Sequence, residues 1–506
     1  MTVSFRGDPY HAGFNAPMRF EADIHDCEVE GQIPLDLDGS FYRTCIDRRY
    51  PQRISNDIPY NADGAVDLFR FRGGHVDFRT RYIRTPRYVA ERAARRALFG
   101  VYRNRYTDDA SVAGMSVNTG NTTPLIHAGK LYCLKESSPP MLVDPHSLKT
   151  LGEYTFEGRL QAQTFTAHPK IDPLSDEMIG FSYEAKGDLT DDLAVQFFDA
   201  SGRLTREVWL KAPIVSMMHD FAITQQHVIL PTTAMVTSLE RLKQGLNHWA
   251  YDRNTPAWVG ILPRDGEARD VRWFKGPHDR AMLIHATNAR TEGSKVIVDA
   301  PVARGNFNPQ FPNLDGSAFD EEARRNTIRR WTFDLSQAGD EAWQEEILFA
   351  DIKPTSFSRM DDRYLTLPFR YSYNLLSDAT LPFDAARGGN LRGKIPNTWY
   401  RFDHEAMRVD KFFAGDTHGL HEPQFVPRRH GAAEGDGYLI GVANDFATAH
   451  SELVIADAQR LAEGPIARVK LPFRLHSQVH GCWASARDLP FDFDVDPDFI
   501  DGPYVD

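Results

Sequence analysis

Along the chain, short runs of β-branched and aromatic residues alternate with polar ones and break at Gly, Asp or Ser, the pattern of antiparallel hairpins. Seven such segments follow one another: VDLFRF-RGG-HVDFRTRYI, MLVD-PHS-LKTLGEYTF, VQFFD-ASG-RLTREVWL, VGILP-RDG-EARDVRWF, RRWTFD-LSQAGDEA-WQEEIL, WYRFD-HEA-MRVDKFF and ELVIAD-AQR-LAEGPIARVKL. Their turns fall near Gly73, Asp144, Asp199, Asp265, Asp334, Asp403 and Asp457, at intervals of about 54 to 71 residues. Each interval accommodates a four-stranded sheet with insertions. The repeat therefore predicts an all-β chain built as a seven-bladed β-propeller, with residues 1–506 forming a single domain. A β-sandwich, the other way of stacking hairpins, seldom reaches seven evenly spaced ones in one chain. Helical patterns are sparse, at 89–99, 238–244 and 457–462, and predict a small helical and loop cap over the propeller axis. The stretch 488–506 carries seven aspartates among Phe, Pro and Tyr and predicts an extended acidic strap.

Composition narrows the function classes. Hydrophobic residues make up 42% and charged residues 25%, ordinary for a globular protein with a large core. The formal charge of −12 opposes polyanions, and the basic run at 92–96 (RAARR) reads as a solvated helix face, so no nucleic acid is expected as a partner. Cys27, Cys45, Cys133 and Cys482 lie far apart without CxxC pairing, which argues against a zinc knuckle or a disulfide framework. The first residues lack a signal-peptide pattern, and no apolar run approaches the roughly 18 residues of a membrane span. A reducing cytoplasmic setting is the expectation.

Candidate chemistry appears when the histidines are placed on the repeat. His168, His219, His285 and His480 each follow their hairpin aspartate by about 20 to 24 residues, the same phase of four different blades. A single histidine is more often a hydrogen-bonded loop residue than a ligand. Four in one phase, predicted on innermost strands facing the axis, point to a metal centre. His278, His421 and His476 stand near this set and are the competing assignments. Imidazole ligands suit zinc, copper, iron and nickel alike. Such a site needs outer carboxylates to orient the rings, and Glu136 and Glu422 are the candidates, the latter in the same phase of the sixth blade. Either could equally be a surface carboxylate.

From EGQIPLDLDGSFYR to LPFRLHSQVHGCW, these residues resemble the carotenoid cleavage oxygenase superfamily. The segments FTAHPK, MMHDF, LIHATNA and QVHGCW are similar to its four iron-ligand segments, and LKESSPP and HEPQFVPR to two of its three outer-glutamate segments. The resemblance implies a seven-bladed propeller holding one iron(II) per chain on His168, His219, His285 and His480, with Glu136 and Glu422 orienting imidazoles. One departure stands out: the family's third glutamate is replaced in PTSFSRMDDRY, where Ser356 occupies its place. The imidazole of His219 or His285 must then be oriented by Ser356, a water or another group.

Within the superfamily, TPRYVAERAARRALFGVYRN and the Lys-Glu pair at 135–136 are similar to the bacterial lignostilbene dioxygenases and the related isoeugenol-cleaving enzymes. That resemblance implies that Tyr102 and Lys135 contact the phenolic hydroxyl of a small phenolic substrate, and that Tyr60 lies against its ring where relatives often carry Phe. An ammonium and a tyrosine hydroxyl stabilise phenolate, which pushes electron density towards the side-chain double bond. The expected reaction is cleavage of the central C=C bond of a 4-hydroxystilbene with O2 into two aromatic aldehydes. Isoeugenol, giving a vanillin-like aldehyde, is the rival substrate. An apocarotenoid fits less well, because the helix before Tyr102 is studded with arginines and not apolar. A binding propeller without catalysis is the reading from another class, and iron content separates it from the enzyme. A homodimer would fit relatives.

Overall fold

The structure is a computed structural model. It describes residue 5, residue 11 and residues 13–276, 282–339 and 342–489. The strap expected at 488–506 lies outside the described residues apart from Asp488 and Leu489, and His278 lies outside them too.

Among the described residues, seven antiparallel sheets have four or more strands, and a separate two-stranded ribbon pairs Met235–Val236 with Ala250–Tyr251. Every one of the seven hairpins read from the sequence is found within one of these sheets. The first joins Gly64–Arg72 to His75–Tyr82, and the last joins His450–Asp457 to Pro465–Lys470. The agreement follows from the period-2 pattern: one residue of slip would turn every apolar side chain to the wrong face, so the register is strongly specified. Seven sheets for seven repeats is the blade count of the expected propeller.

Two compact units divide the chain. The unit made of residues 1–154, 377–399 and 410–506 contains a sheet in which the late strand Ser477–Ser485 pairs with the early strand Gly39–Ile46. Strands more than 400 residues apart in sequence are thereby hydrogen-bonded, and the early strand gains a neighbour on each side. Phe41, Phe69, Phe78, Val442, Leu453 and Ile455 share one buried core in this unit. The unit made of residues 155–376 and 400–409 has its own core, including Ile229, Val259, Val298, Trp331 and Phe333.

Helices are few, as expected, but their limits differ. The first, α1 (Pro86–Ala94), starts earlier than 89 because Thr85 caps it, accepting from the Tyr88 amide at 3.1 Å, and Pro86 supplies a preset first turn. It stops at Ala94 because Arg95 turns left-handed at φ 52°. The Glu91 carboxylate then accepts from the Leu98 and Phe99 amides at 2.9 and 3.1 Å, bending the chain towards Tyr102. Near 238–244, α2 (Leu239–Lys243) forms with Ser238 as its cap. No helix spans 457–462. Asp457 is still strand, its carboxylate accepts from the Gln459 amide at 2.9 Å, and only a single 3-10 turn follows at Leu461–Glu463. Local hydrogen bonding by the Asp side chain wins over a weak helical pattern. A short α3 (Ala385–Gly388), capped by Asp384, was not foreseen.

Candidate active site

Three of the four phased histidines belong to one unit and converge. His168 lies in the bend ahead of the strand Lys170–Ile171, His219 just ahead of Ala222–Ile223, and His285 between Met282–Leu283 and Asn288–Glu292. The expectation of innermost-strand positions is corrected here. These three sit in the loops entering or leaving short end strands, where a bent backbone can aim a ring that a flat strand could not. Their ring centroids are 4.7, 5.0 and 5.1 Å apart, and each offers a nitrogen within 4.8 Å of the others.

The ring orientations carry chemical information. Nε2 of His168 lies 3.1 Å from Nε2 of His219, so two ring nitrogens face one another across a proton or a cation. His285 donates from Nδ1 to the backbone carbonyl of Ser356 at 3.0 Å. A carbonyl can only accept, so the proton is fixed on Nδ1 and the lone pair on Nε2, the tautomer a ligating imidazole requires. The position lacking the family's glutamate thus orients a histidine through its main chain. Three neutral imidazoles without a thiolate suit iron(II) by donor chemistry, as they suit copper or zinc.

Asp220 ties these loops together and was not foreseen. One oxygen, Oδ1, pairs with Lys170 Nζ at 2.8 Å and also accepts from the Phe221 amide at 2.8 Å. The other, Oδ2, accepts from the Ala286 amide at 2.9 Å. A buried carboxylate therefore binds the loop of His168 through Lys170, that of His219 by sequence adjacency and that of His285 through Ala286. The only sequence signal was its place directly after a candidate ligand, in MMHDF.

The other unit contains His480, on the strand Ser477–Ser485, and here the strand expectation holds. Its Nδ1 is 3.0 Å from Oε1 of Glu422, both buried, a carboxylate-oriented histidine. Buried Arg43 donates to the carbonyls of Glu422 and Val479, each at 2.8 Å, and so fixes the segments on which both groups sit. The neighbouring glycine is required. A Cβ on Gly481 would stand 2.6 Å from Cδ of Arg43 and 2.9 Å from the Tyr42 carbonyl. His421 instead pairs with Asn444 at 3.0 Å, and His476 lies beside Cys45 and Asp47.

The same unit holds the phenol-binding candidates. Lys135 follows the strand Lys130–Leu134 and is buried, not an exposed strand lysine. Its Nζ donates to the Tyr60 carbonyl and to Oδ1 of Asn121, each at 3.1 Å, and stands 5.1 Å from the centre of the Tyr102 ring. Burial lowers its pKa to about 8, with adjacent Glu136 opposing the shift. Tyr102 is buried and donates to Oε1 of Glu136 at 2.7 Å. Burial and then the Glu136 charge push the Tyr102 phenol well above its usual range. Tyr60 is 43% exposed, and the group of it that meets Lys135 is its carbonyl. Asn121, unnoticed in the sequence, fixes that carbonyl with a further 3.0 Å bond. The arginines of 92–96 end as surface groups, Arg96 pairing with Asp109 at 3.0 Å. No helix among the described residues is long and apolar enough to cross a membrane.

Comparison with known proteins bears on the family and the fold. A profile of the retinal pigment epithelial membrane protein (RPE65) family matches residues 15–485. The chain is 42% identical to lignostilbene-alpha,beta-dioxygenase isozyme III of Sphingomonas paucimobilis, over 94% of this chain and 97% of that protein. It is 37% identical to isoeugenol monooxygenase of Pseudomonas putida, over 96% of this chain and all of that protein. The crystal structure of Pseudomonas brassicacearum lignostilbene dioxygenase superposes with a TM-score of 0.91 at 39% identity, covering 96% of this chain and 100% of that one. The seven sheets are accordingly the blades of a seven-bladed β-propeller.

Proposed function

The chain belongs to the RPE65, or carotenoid cleavage oxygenase, family, and from that premise we propose that it is an iron(II) dioxygenase cleaving the central double bond of 4-hydroxystilbenes. Residues 1–506 act as one propeller oxygenase domain, and one iron(II) per chain is held by His168, His219, His285 and His480. The converging trio supports this assignment, as does His480, oriented by Glu422 and lying in the same phase of the repeat. Bound iron(II) supplies the activation of dioxygen. Net, one C=C bond and one O2 become two aldehyde C=O groups.

The observation that carries the substrate class is the buried Lys135–Tyr102 pair. An ammonium has three N–H donors, and two of those of Lys135 go to the Tyr60 carbonyl and Asn121. A phenolic oxygen takes the third. The Tyr102 hydroxyl spends its proton on Glu136, so its oxygen is an acceptor for the substrate O–H. The pair thereby grips one hydroxyl from both sides: Tyr102 accepts from the phenol O–H, and the Lys135 ammonium stabilises the negative charge that develops on its oxygen, which raises electron density along the conjugated path to the double bond. Burial excludes competing water and strengthens each contact. Tyr60 is the candidate for packing against the substrate ring, and Glu136 for orienting an imidazole besides holding Tyr102.

A phenylpropene such as isoeugenol is the second reading, favoured by the 37% identity to an isoeugenol monooxygenase and by a phenol grip that serves either molecule. The test is aerobic turnover by the iron(II)-loaded protein of resveratrol, isoeugenol and an apocarotenoid, with aldehydes resolved by chromatography. Two aromatic aldehydes from the stilbene are expected. Vanillin from isoeugenol alone would move the protein to the second reading, and turnover of the apocarotenoid alone would remove the phenol grip from the mechanism.

A further inference from the structure

Away from the iron ligands, one blade carries a second set of donor atoms. The strands Gly64–Arg72, Gly39–Ile46 and Ser477–Ser485 are neighbours in a single sheet. Arg43 faces Asp67 and Cys45 faces Gln478 across the ladder, so Cys45, Asp67 and Gln478 share one side of the sheet. His476, two residues before Gln478, closes over the same side. One donor atom from each of Cys45, Asp67 and His476 lies within 4.8 Å of the others, and all three residues are buried. We propose that Cys45, Asp67 and His476 form a structural divalent-cation site, with zinc the fitting ion.

Geometry and charge both argue for it. Sγ of Cys45 lies 3.5 Å from Nδ1 of His476. Tetrahedral zinc, with Zn–S about 2.3 Å and Zn–N about 2.0–2.1 Å, sets its S and N ligands roughly 3.5 Å apart. The other imidazole nitrogen, Nε2, lies 3.4 Å from Oδ2 of Asp47, longer than an ordinary hydrogen bond but on the side where a carboxylate supports a ligating ring. Asp47 is itself fixed by the Met18 and Arg19 amides at 2.8 Å each and by the Tyr82 hydroxyl. On Asp67, Oδ2 accepts from Gln478 Nε2 at 2.7 Å, and Oδ1 is buried on the side of the cross-strand neighbour Thr80, whose hydroxyl also supports this carboxylate.

One thiolate and one carboxylate neutralise a dication, so the ion and its three ligands together carry no net charge. Thiolate, imidazole and carboxylate together match zinc better than the hard cations, which take oxygen alone. Three protein ligands leave one position for water. The site lies on the sheet that joins the early and late strands, so occupancy would clamp three strands of that sheet together.

Metal analysis and cobalt spectroscopy on the full-chain, iron-loaded protein test this. Zinc close to one per chain is expected beside iron. Cobalt(II) added to metal-free protein should give a near-ultraviolet thiolate-to-cobalt charge-transfer band, which four histidines cannot produce. Cys45→Ser should remove the band and the zinc while iron content stays. Should Cys45→Ser fail to fold, the wild-type band and zinc content decide alone. Absence of a thiolate band in the wild type, or zinc retained in a folded Cys45→Ser, would overturn the proposal.

Discussion

Lys170 and Asp220 are joined by a 2.8 Å ion pair in which the carboxylate is buried and the ammonium keeps slight contact with solvent. The pair links loops carrying two of the candidate iron ligands, and the second carboxylate oxygen reaches the third loop at the Ala286 amide. Asp220→Asn preserves the shape but leaves Lys170 without a counter-charge. Breaking a buried pair from one side costs about 3–5 kcal/mol, and the residual hydration of Lys170 places this case at or below the lower end. Looser loops should also weaken iron binding about 10- to 100-fold, as loss of an outer partner commonly does. Chelator competition and thermal melting measure the two. An unchanged iron affinity would separate Asp220 from the metal centre.

His285 and His480 are oriented by different kinds of acceptor, and that difference is testable. Since His285 donates to the main-chain carbonyl of Ser356, Ser356→Ala should change iron affinity by no more than about twofold. Glu422 holds His480 with its side chain, so Glu422→Gln should lower affinity by about 10- to 100-fold. Equal effects of the two substitutions, read by the same chelator competition, would contradict the assignment.

Tyr102 is expected to act on substrate rather than on iron. Tyr102→Phe removes the oxygen that would accept from the substrate hydroxyl and deprives Glu136 of a donor at 2.7 Å. A hydrogen bond to a charged group is worth about 1.5–3 kcal/mol, which corresponds to a fall of about 10- to 100-fold in kcat/KM. Iron content should be unchanged. A stilbene lacking the 4-hydroxyl should be turned over poorly by the wild type and lose little further activity in the variant.

The hairpins and the histidine cluster were legible for the same reason: each is written locally and then repeated. A turn residue such as Gly73, Asp199 or Asp265 between alternating residues marks its own hairpin, and phase within a repeat picks His168, His219, His285 and His480 out of 18 histidines. What was hidden depends on partners distant in sequence. Asp220 meets Ala286, Asn121 meets Lys135 both directly and through the carbonyl of Tyr60, and Arg43 reaches Val479 across most of the chain. The substitute for the missing glutamate was hidden more deeply, because a backbone carbonyl leaves no trace in the identity of Ser356. The helix limits failed for a local reason that could have been read, since Thr85 followed by Pro86 is a cap and first-turn pair.

Lys135 gives the reaction a pH signature. Its pKa of about 8 leaves it an ammonium at neutral pH, and the grip on a phenolate needs that charge. The kcat/KM should therefore fall as pH rises through about 8 in the wild type, and Lys135→Met should be slow and lack this limb. Stability should move the other way. The folded-state pKa lies below the ordinary 10.5, so between about 8 and 10.5 the unfolded chain binds more protons, and this residue's contribution to stability rises with pH across that window. Below about 8 both states are charged, and the burial penalty is present in full. Denaturant titrations of wild type and Lys135→Met at several pH values isolate that slope as their difference. An activity limb that persists in Lys135→Met would assign it to another group, and a stability difference independent of pH would show that Lys135 is charged in the folded protein throughout the range.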